Sequence, residues 1–166
     1  MQAIQRISPC LWFDDQAEAA VAFYTGIFRN SRVLKVTHYG EAGKEIHGRK
    51  PGSVMSMAFE LDGQSFTALN GGPLFQFNEA ISFQVSCDNQ DEVDYYWERL
   101  GEGGDEAAQQ CGWLKDPYGV SWQIVPTVLL TMINDPEGEP TRRVTDAMLR
   151  MKKLDIAELA RAYDGH

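Results

Sequence analysis

The chain has 166 residues, 43% of them hydrophobic, enough to bury one substantial core without disulfide or metal staples. Its net charge of −9, without a basic stripe or tail, argues against a nucleic-acid or anionic-membrane surface. Cys10, Cys87 and Cys111 are odd in number and lack CxxC spacing, as reduced thiols do; with no apolar leader and no run near the ~18 apolar residues of a bilayer span, the expected location is the cytoplasm.

Residues 7–13 predict a short strand, with Ser8, Cys10 and Trp12 on one face and Leu11 and Phe13 on the other. Asp14 or Asp15 is the expected cap of a helix whose buried side carries Ala19, Ala20, Phe23, Tyr24 and Ile27. Residues 32–37 form a second strand, and the glycine-rich stretch 41–52 reads as a mobile loop. Residues 54–61 and 65–69 alternate as strands, with a hairpin turn at Asp62-Gly63. Asn70-Gly-Gly-Pro73 then breaks the chain, and residues 73–78 read as a linker with buried aromatics.

A second unit starts near Ile81. Ser82, Gln84 and Ser86 alternate with Phe83, Val85 and Cys87, giving one polar and one apolar face. The helix over 90–100 is expected to bury Val93, Tyr96, Trp97 and Leu100, and Gly101-Glu-Gly-Gly104 ends it. Short strands over 111–114 and 120–125 flank an Asp116-Pro-Tyr-Gly119 turn. Beyond Pro126 the pattern is helical over 141–151 and 155–162, a tail that covers an open sheet end or packs on a second subunit.

The chain says much the same thing twice. Ile7-Ser8 with the acidic opening Asp14–Glu18 returns 74 residues later as Ile81-Ser82 with Asp88–Glu92. Gly63-Gln-Ser65-Phe-Thr67 returns 56 residues later as Gly119-Val-Ser121-Trp-Gln123. Two copies of one supersecondary unit predict modules related by a pseudo-two-fold axis, with a cleft as the default ligand site.

Several motifs in register carry a family resemblance. Cys10-Leu-Trp-Phe-Asp with Phe23-Tyr24, Leu69-Asn-Gly-Gly-Pro73, Ala80-Ile-Ser-Phe83, Val93-Asp-Tyr-Tyr-Trp97, Cys111-Gly-Trp-Leu-Lys-Asp116, Val120-Ser-Trp-Gln-Ile-Val-Pro126 and Met148–Ile156 resemble the PhnB-like family. That family carries the inherited label 3-demethylubiquinone-9 3-methyltransferase, within the glyoxalase, bleomycin-resistance and extradiol-dioxygenase (vicinal oxygen chelate) superfamily. The resemblance implies an α+β fold: two βαβββ modules whose curved mixed sheets enclose a cleft, plus a C-terminal helical tail. It further implies one glyoxalase-like domain over 1–166, with modules at about 5–70 and 79–126 and the tail at 127–166, and a homodimer.

In metal-dependent superfamily members the opening and closing strands supply His and Glu. The matching positions here are Ser8 and Ser82, then Thr67 and Gln123; slippage by two residues substitutes Cys10 or Gln84. None is an imidazole or carboxylate, so no tight divalent ion and no cofactor are expected. This polar set either hydrogen-bonds a small organic molecule or satisfies itself between the modules. Trp12 adds an aromatic wall, and Asn70 with Gly71-Gly72 offers amides near the cleft mouth.

His38, His47, Glu41 and Glu45 lack ligand spacing and read as surface, and Cys111 lacks an evident activating cation. The leading expectation is a metal-free small-molecule binder with candidate ligand residues Ser8, Cys10, Trp12, Thr67, Asn70, Ser82, Gln84 and Gln123. An isomerase or lyase of the same superfamily is the alternative. The inherited methyltransferase activity ranks behind both, because the glycine cluster follows a helix rather than a strand.

Overall fold

The computed structural model describes residues 5–166, which group into two compact units, the first ending at Phe77 and the second spanning Asn78–His166. The first contains β1 (Cys10–Phe13), α1 (Ala17–Ile27), β2 (Arg32–His38), α2 (Lys44–His47), β3 (Val54–Leu61) and β4 (Gln64–Asn70). Its sheet has the order β1-β4-β3-β2, with β1 parallel to β4 and the other pairs antiparallel. Asp62 and Gly63 both adopt positive φ, +47° and +79°, which matches a two-residue turn to the right-handed twist of β3 and β4.

Alternation drives this unit together. Leu11, Phe13, Phe59, Phe66 and Ala68 share the buried face, and α1 packs on β3 and β4 through Ala17, Ala20, Val21, Tyr24 and Ile27. The stripe is rotated from the expected one: Ala19 is exposed and Phe23 half-buried. The α1 cap also differs. Neither Asp14 nor Asp15 caps it; Asn70 Oδ1 accepts from the Ala17 N–H at 2.9 Å.

The stretch 41–52, expected as loop, is not loop throughout. It contains α2, and His47 Nδ1 accepts from the Arg49 N–H at 2.9 Å while its ring lies 4.6 Å from Tyr39. Phe75, expected buried, is 58% exposed.

The second unit contains β5 (Ser82–Cys87), α3 (Gln90–Gly101), β6 (Trp113–Lys115), β7 (Ser121–Pro126), α4 (Thr127–Met132), α5 (Glu139–Met148) and α6 (Ile156–Asp164). Its sheet runs β5-β7-β6, again with the first and last strands parallel and the inner hairpin antiparallel. Three strands stand here where the first unit has four. The place of β2 is taken by a 3-10 turn at Glu106–Ala108, in a segment without β-branched or aromatic residues. Val93 and Leu100 of α3 are buried, but Tyr96 and Trp97 are only half-buried.

The tail folds onto its own unit. Leu129, Val144, Met151, Leu154 and Leu159 form its core. Gln90 ties it to α3, donating to Leu154 O at 3.1 Å and accepting from the Ile156 N–H at 2.8 Å. The N–H groups of Cys111 and Gly112 reach Met151 O and Lys152 O at 2.9 and 2.8 Å. Among the described residues no helix is long and apolar enough to cross a membrane.

Candidate functional site

The two repeat offsets read from the sequence meet in the strand registers. Cys10 pairs with Thr67 in the first sheet, and Gln84 pairs with Gln123 in the second. Adding 74 to 10 gives 84, and adding 56 to 67 gives 123, so one ladder maps onto the other residue by residue. The candidate positions therefore occupy equivalent places in the two units.

In the second unit they form a polar sheet face two rows deep. Residues in direct register share a face, so Ser82, Ser121 and Lys115 make one row across β5, β7 and β6, and Gln84, Gln123 and Trp113 make the next. Gln123 Nε2 donates to Ser82 Oγ at 2.8 Å, and Gln84 Nε2 lies 3.4 Å from Gln123 Oε1. Three candidates thus belong to one hydrogen-bonded chain. The opposite face carries Val85, Cys87, Trp122 and Ile124 into the core. Burial, with the nearby Glu92 and Asp88 adding to it, pushes the Cys87 thiol up to about 12, leaving it a protonated packing group.

Three members of this face went unnoticed in the sequence: Ser121, Trp113 and Lys115. Period-two parity from Gln123 finds the first, and the Trp-Leu-Lys run supplies the others. Lys115 pairs with Glu79, and that contact holds the Glu79 carboxyl below its usual range. Ser121 is 1% exposed, and among the described residues its Oγ is the buried side-chain atom that lacks a hydrogen-bond partner.

The equivalent face of the first unit is less polar. Its central row is Cys10, Thr67 and Ala58, and the next is Trp12, Leu69 and Ser56. Ser8 is exposed and precedes β1; the ladder continues that way through Thr67 N–H to Pro9 O at 2.9 Å. Burial raises the Cys10 thiol pKa, which keeps it protonated.

Asn70 has a different role from the one its place beside two glycines suggests. It is 6% exposed, and its carboxamide caps α1 and donates to Val54 O at 3.1 Å, while its backbone carbonyl accepts from Tyr39 OH at 2.6 Å. It is a framework residue, occupied at both ends of its carboxamide.

Trp12 is half-buried and anchored. Its Nε1–H donates to Gly72 O at 2.8 Å, and its ring meets Phe75 edge-on with centroids 4.9 Å apart. Gly71 lies against the indole, so that a Cβ there falls 2.3 Å from Trp12 Cζ2. Gly71→Ala is expected to displace the indole, break its hydrogen bond and lower stability by about 1–3 kcal/mol. Urea unfolding would measure the loss, and a change under 0.5 kcal/mol would mean the indole moves aside freely.

The donor set does not fit a tightly held divalent ion. Ser8, Thr67, Ser82, Gln84 and Gln123 offer neutral oxygens and nitrogens, and Cys10 is a lone thiol whose register partner is Thr67. Among the described residues, no three His, Cys, Asp or Glu side chains gather as a metal cluster.

Comparison with known proteins gives the family and the fold. The family model described as 3-demethylubiquinone-9 3-methyltransferase matches residues 5–125. The PhnB protein of Bacillus cereus is 32% identical, with TM-score 0.64, over 74% of this chain and 100% of its own. Protein PA1353 of Pseudomonas aeruginosa is 17% identical, with TM-score 0.55, over 75% of this chain and 98% of its own, a likeness of fold. A fosfomycin resistance protein, FosX, of Listeria monocytogenes is 18% identical, with TM-score 0.48, over 75% of this chain and 92% of its own. No curated protein matches the chain.

Proposed function

We propose a function from the premise that this chain belongs to the family described as 3-demethylubiquinone-9 3-methyltransferase. It is a small-molecule-binding protein that holds a polar organic ligand by hydrogen bonds on the sheet face of the second unit, without a tightly bound metal. The observation that carries this reading is the Ser82–Gln123–Gln84 chain. Each carboxamide has four hydrogen-bonding positions, and the chain uses only part of them. The 2.8 Å bond to Ser82 orients the Gln123 amide before a ligand arrives, which lowers the entropic cost of binding. Trp113, in register with Gln123, sets an aromatic surface beside them.

The family's description names methyl transfer, but the sheets support binding better. Dinucleotide-type and related cofactor crevices form at the carboxyl ends of parallel strands, next to a glycine-rich strand-to-helix turn. Here each sheet has one parallel pair, and Gly101–Gly104 closes a helix.

The test is a screen of small polar organic molecules by NMR on 15N-labelled protein, together with its metal content. Expected are no stoichiometric ion, and ligands that move the Gln84 and Gln123 side-chain amides. A bound ligand should stabilise the fold by about 2.7 kcal/mol at a hundredfold excess over Kd. Gln123→Ala should abolish the response while the protein stays folded. One tightly held ion per chain, stabilised further by added Zn²⁺, would sink this reading in favour of a metal-dependent enzyme.

A further inference from the structure

The row Ser82, Ser121, Lys115 differs in chemistry from the carboxamide row beside it. It presents two hydroxyls and an ammonium, with no acidic side chain among its three members. Ser82 Oγ already accepts from Gln123, so its own O–H points elsewhere as a donor. Ser121 is buried without a partner, a situation that costs free energy unless another group completes it. Lys115, with only 23% of its side chain exposed, supplies a positive charge on the same face. Three donor groups in register call for an acceptor, and a charged one best.

The acceptor in place is Glu79. It lies on the turn just ahead of β5, where Asn78 Oδ1 accepts from the Ala80 N–H at 2.9 Å, and its side chain is 60% exposed. An exposed carboxylate reaching a largely buried ammonium is held weakly, because water competes for it. It leaves the neighbouring Ser121 hydroxyl unsatisfied.

We propose that Lys115, Ser121 and Ser82 form an oxyanion subsite for the carboxylate of an acidic organic ligand, and that Glu79 occupies its Lys115 end as an internal stand-in until that ligand displaces it. This rests on the binding reading given above. The ligand's carboxylate replaces Glu79 at Lys115 and accepts from the Ser121 hydroxyl, which is shut from solvent until Glu79 and the Lys115 side chain move aside. Its organic body lies toward Gln84, Gln123 and Trp113. Glu79 then acts as a gatekeeper, passing anions and giving neutral analogues no advantage.

Benzoate and its neutral isostere benzamide test this, titrated into 15N-labelled full-length protein at low salt. Expected is benzoate binding tighter than benzamide, with shifts at Ser82, Ser121 and Lys115. Glu79→Gln should tighten benzoate about two- to fivefold, the scale of an exposed ion pair, and leave benzamide unchanged. Lys115→Met should erase the preference. Ser121→Ala should weaken benzoate but leave the protein as stable as before or more so, since it removes an unsatisfied buried hydroxyl.

Equal binding of both probes, or no response to Glu79→Gln, would overturn the oxyanion subsite and leave the binding reading standing. Silence of the β5 and β7 signals to both probes and to the wider screen would overturn both. A benzoate gain that survives Lys115→Met would place the anion elsewhere and also overturn the subsite.

Discussion

Asp116→Ala is expected to cost the second unit about 3–5 kcal/mol, because three N–H donors lose their acceptor together and a buried donor left unsatisfied costs about 1–3 kcal/mol. Asp116 is 2% exposed and is the acceptor on which the β6–β7 turn is built. Its Oδ1 accepts from the N–H groups of Tyr118 and Val120 at 2.8 and 3.0 Å, and its Oδ2 from Trp122 Nε1–H at 2.9 Å. Alanine leaves these donors without that acceptor, and the Val120 and Trp122 donors are buried. With total stability of about 5–15 kcal/mol for a domain, such a loss brings the unit to the edge of unfolding.

Asp116→Asn separates charge from geometry. Its carbonyl oxygen can keep both backbone donors, but its NH₂ then faces the Trp122 N–H, donor against donor. A loss between that of alanine and wild type is expected, read by urea denaturation with circular dichroism. Alanine within 1 kcal/mol of wild type would show that the turn stands on its Pro-Tyr-Gly backbone instead.

The repeat made the core of this architecture legible. Alternation in residues 54–69 and 82–87 placed the strands, and the offsets 74 and 56 anticipated that Cys10–Thr67 and Gln84–Gln123 are equivalent pairs. The gathering of Ser82, Gln84 and Gln123 followed from that parity. What escaped was long-range or side-chain specific. Asn70 looks like a turn residue locally, and its partner Ala17 lies 53 positions away. Ser121 and Lys115 were hidden because their neighbours Trp122 and Asp116 carry the stronger local signals, an apolar strand and a turn. The half-buried state of Trp97 reflects the width of the face that α3 buries, which helical spacing alone does not set. The contact of His47 in the 41–52 stretch with Tyr39 is likewise invisible to composition.

The glycines at the end of α3 provide the second large effect, and they separate two reasons for needing glycine. Gly103 has φ of +75°, and a Cβ there meets only Pro117 Cβ at an ordinary 3.6 Å. Gly103→Ala is therefore expected to cost about 1–2 kcal/mol, the left-handed penalty of an L-residue. Gly104 does not have that conformation, but a Cβ there falls 2.0 Å from Lys115 O and 3.0 Å from Lys115 C. Neither atom is a side-chain tip that can swing away; the chain after α3 and the end of β6 must separate. Gly104→Ala is expected to cost about 3 kcal/mol or more, at or beyond the upper range of overpacking.

Because Lys115 is in register with Ser121, the displacement reaches the row proposed to hold a carboxylate. Gly104→Ala should thus also lower benzoate affinity under conditions where the protein is still folded, whereas Gly103→Ala should not. Paired urea titrations with benzoate binding on both variants decide the matter. If Gly103→Ala proves the more damaging, backbone conformation and not space governs this junction. If Gly104→Ala destabilises but leaves binding intact, the strand end yields without carrying Lys115 with it.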